Sequence, residues 1–189
     1  MDAFSRRDFI RQAGTGLLTF TLAGCEVELT PGEARRRGIA KRVLTDAEAA
    51  ALEALGEALL PGSRAAGIAQ YVDHQLGEPA ARQRLMIKYL GVEPPFDAFY
   101  RSGFASVERA SVQAAGKTFI GLDEAARHGL VARMARESPP GWGEGPPAPF
   151  FFFVVRNDAL DVTYGTEAGF AALGIPYMAH VVPPSRWGE

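Results

Sequence analysis

Apolar residues recur at intervals of three and four along most of the chain between residues 45 and 164, and this spacing restricts the fold more than any other feature. Side chains at these intervals share one face of an α-helix, whereas a half-buried strand alternates every second residue. The repeats are Leu52, Leu55 and Leu59; Ile68, Val72 and Leu76; Phe96, Phe99, Tyr100, Gly103, Val107, Ala110 and Ala114; and Ala126, Leu130 and Met134. These spacings predict an all-α protein. The sequence shows no internal repeat and no second domain, so we expect one compact multi-helix domain.

Proline, glycine and capping residues predict where the helices begin and end. Thr45 and Glu48 fit a capping box at the start of the first helix, and Pro61-Gly62 ends that helix. Further helices are predicted near residues 66–76 and 80–90, from Phe96 to about residue 115, over about 124–137 and over about 149–164. A loop is predicted at residues 138–147, which are rich in Pro and Gly. The tail after Gly165 is predicted to be an irregular extended coil.

The six apolar residues 150–155 are compatible with either a strand or a buried helix. A strand needs a neighbour to satisfy its backbone, and no second strand-like run lies nearby. We therefore predict a helix for this segment.

The first residues resemble the twin-arginine export signal of bacteria, a Ser or Thr, two arginines, any residue, Phe and an aliphatic residue. The residues that fit this pattern are Ser5, Arg6, Arg7, Phe9 and Ile10. The apolar run that follows spans residues 13–24, which is too short for a membrane-spanning helix of roughly 20 residues. The alternative is a buried N-terminal helix. The predicted signal implies export of a protein that is already folded, through the twin-arginine translocase.

Leu22-Ala23-Gly24-Cys25 resembles a bacterial lipobox, in which the cysteine sulfur accepts the lipid. Cys25 is the only cysteine of the chain, so it forms no internal disulfide. Lipidation of Cys25 would hold the protein at a membrane surface. The alternative is ordinary cleavage near Ala23, with Cys25 unmodified. The predicted organisation is a signal over residues 1–25, a polar linker over 26–43 and a helical domain over 44–189.

The charge balance argues against nucleic acid as a partner. The formal net charge is −2, and residues 1–24 carry three arginines and two aspartates, so the remainder carries −3. A basic cluster at Arg35, Arg36, Arg37, Lys41 and Arg42 directly follows acidic residues. It is interpreted as a solvated tether or helix start, with contact to anionic lipid or a partner as the alternative.

No group of residues predicts catalysis, a cofactor or a metal in this chain. Its three histidines, His74, His128 and His180, are far apart and lack ligand spacing, and no Gly-x-Ser-x-Gly or phosphate-binding glycine motif occurs after the signal. The carboxylates of Asp73, Asp158 and Asp161 are expected on solvated helix faces and at caps. A self-contained enzyme built around Asp73, His74 and a distant carboxylate is the alternative.

Several segments, taken in order, resemble the gluconate 2-dehydrogenase subunit 3 family. After the twin-arginine motif, the matching stretches are Leu44-Thr45 through Leu59-Leu60-Pro61-Gly62, Ala66-Gly67-Ile68 to Tyr71-Val72-Asp73, the aromatic helix from Phe96 with Gly116, Phe119 and Leu122-Asp123, Phe151-Phe152 to Val155-Arg156, Asp161-Val162-Thr163-Tyr164-Gly165, and Gly174-Ile175-Pro176-Tyr177. The resemblance covers most of residues 5–180.

The resemblance implies a non-catalytic small subunit of a periplasmic, membrane-associated dehydrogenase. Its partner in such families is a large flavoprotein of the glucose–methanol–choline oxidoreductase type, which carries the FAD, often with a cytochrome c subunit. The small subunit then lends its export signal to the large one and stays bound to it. A free-standing periplasmic lipoprotein that binds a small molecule or an envelope protein is the second hypothesis.

Aromatic residues in the last third of the chain are the candidates for the partner interface, because aromatic anchors dominate many interfaces. They are Phe150, Phe151, Phe152, Phe153, Tyr164, Tyr177 and Trp187. The alternative for the phenylalanine run is a place in the hydrophobic core.

Overall fold

The structure, a computed structural model, describes residues 16–22 and 24–175. Within these ranges it contains eight α-helices, one short 3₁₀ helix and one two-stranded hairpin, so the predicted all-α class is confirmed. The elements in chain order are β1 (Leu18–Leu22), β2 (Cys25–Leu29), α1 (Pro31–Arg36), α2 (Asp46–Leu59), α3 (Ser63–Ala66), α4 (Ile68–Leu76), the 3₁₀ helix (Met86–Tyr89), α5 (Asp97–Ala115), α6 (Glu124–Met134), α7 (Ala148–Tyr164) and α8 (Glu167–Ala172).

Helix α2 begins where the capping box predicts. The Glu48 amide donates to Thr45 Oγ1 at 3.2 Å, and the Thr45 amide donates to the Glu48 carboxylate at 2.7 Å. These two bonds satisfy amides that the first turn of a helix leaves without partners. Leu52 and Leu55 are buried on the face that the spacing predicts.

Helix α7 is the central element of the described fold. It contacts α2, α3, α4, α6, α8 and the 3₁₀ helix. The side chains of Phe151, Val154, Val155 and Ala159 are fully buried. The prediction of a helix rather than a strand for the phenylalanine run is therefore confirmed.

Helices α5 and α7 approach each other closely at a glycine. Gly103 lies in the middle of α5, and a Cβ atom at this position would overlap the ring of Phe151. The ring of Phe104 also packs edge-on against Phe151, with ring centroids 5.8 Å apart. Helix α5 ends at Gly116, whose φ of 65° suits a residue without a side chain.

Three helix boundaries differ from the predictions. Residues 66–76 were predicted as one helix, but Gly67, with φ of 88°, separates α3 from α4. Residues 80–90 were also predicted as a helix, but only Met86–Tyr89 is helical. Side chains bond to the backbone of the preceding residues instead, since the Arg84 amide donates to Gln75 Oε1 at 2.7 Å. The tail after Gly165 was predicted as coil, whereas Thr166 caps helix α8 through a bond to the Gly169 amide.

The segment 26–43, predicted as a polar linker, contains regular structure. It includes β2 and α1, and α1 starts with a second capping box between Thr30 and Glu33. Leu29, Ala34 and Ile39 are buried in a small separate core together with Phe20. Charged residues dominate the composition of this segment, while its few apolar residues are the ones that pack.

No helix within residues 16–22 and 24–175 combines the length and apolar character needed to cross a bilayer.

Candidate interaction site

Leu22 and Cys25, which begin and end the predicted lipobox, face each other across the N-terminal hairpin. Strands β1 and β2 pair antiparallel from Leu18 opposite Leu29 to Leu22 opposite Cys25. Gly24 has φ of 83°, a conformation that suits glycine in a tight turn. Cys25 is exposed, with a free thiol. The peptide bond before Cys25 therefore lies at an exposed turn.

Strand β1 is amphipathic and is held by helix α4. Phe20 is buried, while its neighbours Thr19 and Thr21 are exposed. The ring of Phe20 packs edge-on against the ring of His74, with centroids 5.1 Å apart. His74 Nε2 lies 2.9 Å from the Thr19 carbonyl oxygen, and because a carbonyl only accepts, Nε2 carries the proton.

Two clefts lie beside the start of β1. One has a volume of about 230 Å³ and lies between Leu18, Tyr71 and Thr166. The other has a volume of about 240 Å³ and lies between Leu18, His74 and Arg82. Leu17, Leu18, Gln75 and Arg84 line both clefts, so the two clefts are neighbours at the start of this strand.

Asp73 and His74 do not form a catalytic pair. The Asp73 carboxylate accepts the backbone amides of Arg42, Val43 and Leu44, each at 2.8 Å. It therefore fixes the segment before α2. The solvated helix face that the sequence predicted for Asp73 is not its position in the structure. Burial lowers the pKa of His74, which favours the neutral ring that holds β1.

Asp158 is also buried rather than solvated, contrary to the prediction. The Tyr100 hydroxyl donates to Asp158 Oδ2 at 2.7 Å, and both side chains are fully buried. Burial, opposed by this hydrogen bond, raises the pKa of Asp158 to about 7. Burial also raises the pKa of Asp161, one turn further along α7. Among the residues that the structure describes, none forms a hydrogen bond with Asp158 Oδ1.

The aromatic interface candidates divide between core and surface. Phe151 is fully buried, so it stabilises the fold and is not available to a partner on the described surface. Phe150 and Phe152 are half-buried, and Phe150 packs edge-on against Phe99 with centroids 5.5 Å apart. Phe153 is 41% exposed, the most accessible of the four. Tyr164 is half-buried, and Tyr177 and Trp187 lie outside the described residues.

The twin-arginine residues Ser5 to Ile10 also lie outside the described ranges. The basic cluster is partly paired within the domain, because Arg35 contacts Glu53 at 2.7 Å and Lys41 contacts Asp46 at 2.8 Å. Arg36 and Arg37 are exposed.

Within the part of the chain that the structure describes, no three His, Cys, Asp or Glu side chains come together as metal ligands. Sequence reasoning missed two buried arrangements, the Tyr100–Asp158 pair and the seat of Phe20 on His74. The first is signalled only by two polar residues on otherwise apolar helix faces. The second has no local signal, since its residues are 54 positions apart.

The fold and these surfaces define an all-helical domain whose buried polar groups hold its own segments together. Comparison with known families shows that the chain belongs to the gluconate 2-dehydrogenase subunit 3 family, whose profile matches residues 46–181. This confirms the resemblance, and membership of this family is consistent with an accessory subunit of a dehydrogenase complex. Searches of curated proteins and of solved structures found no significant match.

Proposed function

We propose that this protein is the non-catalytic small subunit of a periplasmic, membrane-associated, flavin-dependent sugar or alcohol dehydrogenase. In this role it escorts the folded catalytic subunit through the twin-arginine route and then stabilises it. The observation that carries the proposal is a family match over residues 46–181 behind a twin-arginine motif at residues 5–10. A route that exports folded proteins allows a bound partner to cross with the chain that carries the signal.

The chemistry in this proposal belongs to the partner. A flavoprotein of the glucose–methanol–choline type supplies the FAD, and a cytochrome c subunit is a further candidate member. Two buried carboxylates of this chain have structural tasks: Asp73 binds three backbone amides and Asp158 accepts from Tyr100. This use of the two carboxylates supports an accessory role.

Anchoring through Cys25 is part of the proposal. The lipobox cysteine is exposed at a hairpin turn, where a peptidase and a lipid transferase have access. Two or three acyl chains would suffice for stable membrane attachment. The mass of the native N-terminus tests this point, because an unmodified Cys25 in the mature protein is incompatible with it.

The escort role predicts that the partner depends on the two arginines of this chain. Replacing Arg6 and Arg7 with lysine should leave the catalytic subunit in the cytoplasm, because the translocase no longer accepts the signal. The measurement is the dye-linked dehydrogenase activity of the periplasmic and membrane fractions. Arg36→Lys with Arg37→Lys is the matched control, since these adjacent arginines are exposed and lie outside the motif.

The control variant should export the partner as the unmodified chain does. If the partner reaches the periplasm equally well with the lysine pair at positions 6 and 7, the escort role is wrong.

A further inference from the structure

The hairpin contains part of the predicted export signal. The apolar run of the signal spans residues 13–24, and β1 occupies Leu18–Leu22 within it. Leu18 follows the twin-arginine motif closely in sequence. A translocase that reads this run as an extended apolar segment competes with β2 and His74 for the same residues. Residues 18–22 cannot pair with β2 and be bound by the translocase as an extended segment at the same time.

The seat of β1 is suited to an extended segment with apolar residues at every second position. Leu18, Phe20 and Leu22 point towards the small core, and Phe20 packs with Leu29, Ala34 and Ile39. Removing β1 would expose this core and leave the backbone of β2 without the strand that pairs with it. An exposed strand edge beside apolar side chains is a surface that favours pairing with another strand.

The cross-strand pairs show which occupant would bind better than β1. On the solvent face, Thr19 lies opposite Glu28 and Thr21 lies opposite Glu26. Threonine offers these carboxylates no opposite charge, whereas Lys or Arg in a competing strand would. A second copy of this chain pairing through β2 would place glutamates opposite glutamates, which is unfavourable.

We propose that the groove under β1, which β2, His74 and the small core form, is the docking site for an extended segment of the catalytic subunit. This segment has alternating apolar and basic residues. Its binding displaces β1 and releases the export signal. The inference rests on the proposed function, because it assigns the occupant to the escorted partner. The two clefts at the start of β1 adjoin this groove. Export is then coupled to assembly, because a chain without its partner keeps residues 18–22 of the apolar run paired in the hairpin.

Hydrogen exchange on the export-trapped complex tests this displacement. The full chain carrying Arg6→Lys and Arg7→Lys is purified from the cytoplasm alone and with its partner, so that β1 remains attached in both. We expect the amides of residues 18–22 to exchange about tenfold faster or more in the complex, while those of residues 25–29 stay protected. Continued protection of residues 18–22 in the complex would overturn the inference.

A test in cells examines the groove without altering the signal. In a strain that lacks the catalytic subunit, the unmodified chain should stay in the cytoplasm, and His74→Ala should be exported because β1 loses its bond at Thr19 and its contact at Phe20. His128→Ala is the matched control, since His128 is exposed on α6. If His74→Ala fails to fold, Ile39→Ala weakens the seat of β1 from outside the signal, because Ile39 packs with Phe20 in the small core.

The outcomes separate the two proposals. A trapped chain that recovers no partner contradicts the proposed function. A trapped complex with β1 still protected, or an unmodified chain exported efficiently without its partner, contradicts this inference alone. Dimers of the chain that form through β2 would also contradict it.

Discussion

Asp73 shows how one carboxylate can fix the position of a helix that it does not belong to. Its side chain is 5% exposed on α4, and its two oxygens accept three amides of residues 42–44, just before α2. Hydrogen bonds to a charged group are stronger than neutral ones, and an amide left buried without a partner is costly. The family resemblance includes this residue, and the structure gives it a physical task.

Replacing Asp73 with asparagine should lower the free energy of unfolding by about 2–4 kcal/mol, because one acceptor oxygen becomes an NH₂ donor facing amide donors. Denaturant titration followed by circular dichroism measures the change. Asp46→Asn is the matched control: Asp46 pairs with Lys41 at the exposed surface, so its replacement should cost much less than that of Asp73. Equal losses in the two variants would contradict the anchoring role of Asp73.

The buried Tyr100–Asp158 pair predicts how stability depends on pH. An unfolded Asp158 ionises near its ordinary pKa of 3.8, whereas burial raises its folded pKa to about 7. Between these values the folded state holds the extra proton, so the free energy of unfolding should decrease as pH rises from about 4 to about 7. Asp158→Asn stays neutral and should remove much of this decrease, measured by denaturant titration at several pH values.

Tyr100→Phe supplies the complementary test. The Tyr100 hydroxyl favours the ionised carboxylate, so its loss should raise the folded pKa of Asp158 further and extend the decrease in stability to higher pH. If Asp158→Asn shows the same pH dependence as the unmodified protein, ionisation of Asp158 does not control stability in this range.

At the scale of secondary-structure elements, the contact between α5 and α7 depends on a missing side chain. Gly103→Ala should lower the free energy of unfolding by about 1–3 kcal/mol, because the new methyl group overlaps the fully buried ring of Phe151. Thermal and denaturant unfolding measure the loss.

Gly129 provides the control for helix propensity. It is exposed in α6, and a Cβ atom there would meet nothing within 4 Å. Gly129→Ala should therefore raise the free energy of unfolding by up to about 1 kcal/mol. A stabilising effect of alanine at both positions would show that α5 and α7 are not in close contact at Gly103.

The elements that the sequence predicts correctly carry local signals. The capping box at Thr45 marks the start of α2, and Gly116 marks the end of α5. The apolar spacing identifies the buried faces of both helices. Where the structure depends on distant residues, the prediction fails. The β1–β2 hairpin is held by His74, and residues 80–85 are held by side chains such as Gln75.

The same distinction applies to the candidate site. The exposure of Cys25 agrees with a processing site near the N-terminus, and the partial exposure of Phe153 keeps it as an interface candidate. The core position of Phe151 could not be distinguished from a surface position within an unbroken apolar run. Burial of Asp158 depends on how α5 packs on α7, which no single segment of sequence reveals.

At the scale of the whole molecule, a helical domain of the subunit 3 family is joined to a hairpin built from the predicted signal and lipobox. The domain supplies surfaces for a partner, and the hairpin includes residues that the export machinery would read. In the proposed role, this arrangement places assembly and export on one small chain.

The most direct test of the central claim is affinity purification of this chain from solubilised native membranes, with an absorbance spectrum and a dye-linked dehydrogenase assay of the eluate. We predict a large co-purifying protein with flavin absorbance and dehydrogenase activity. Recovery of a colourless, inactive chain alone under mild detergent would contradict the account and favour a free-standing lipoprotein.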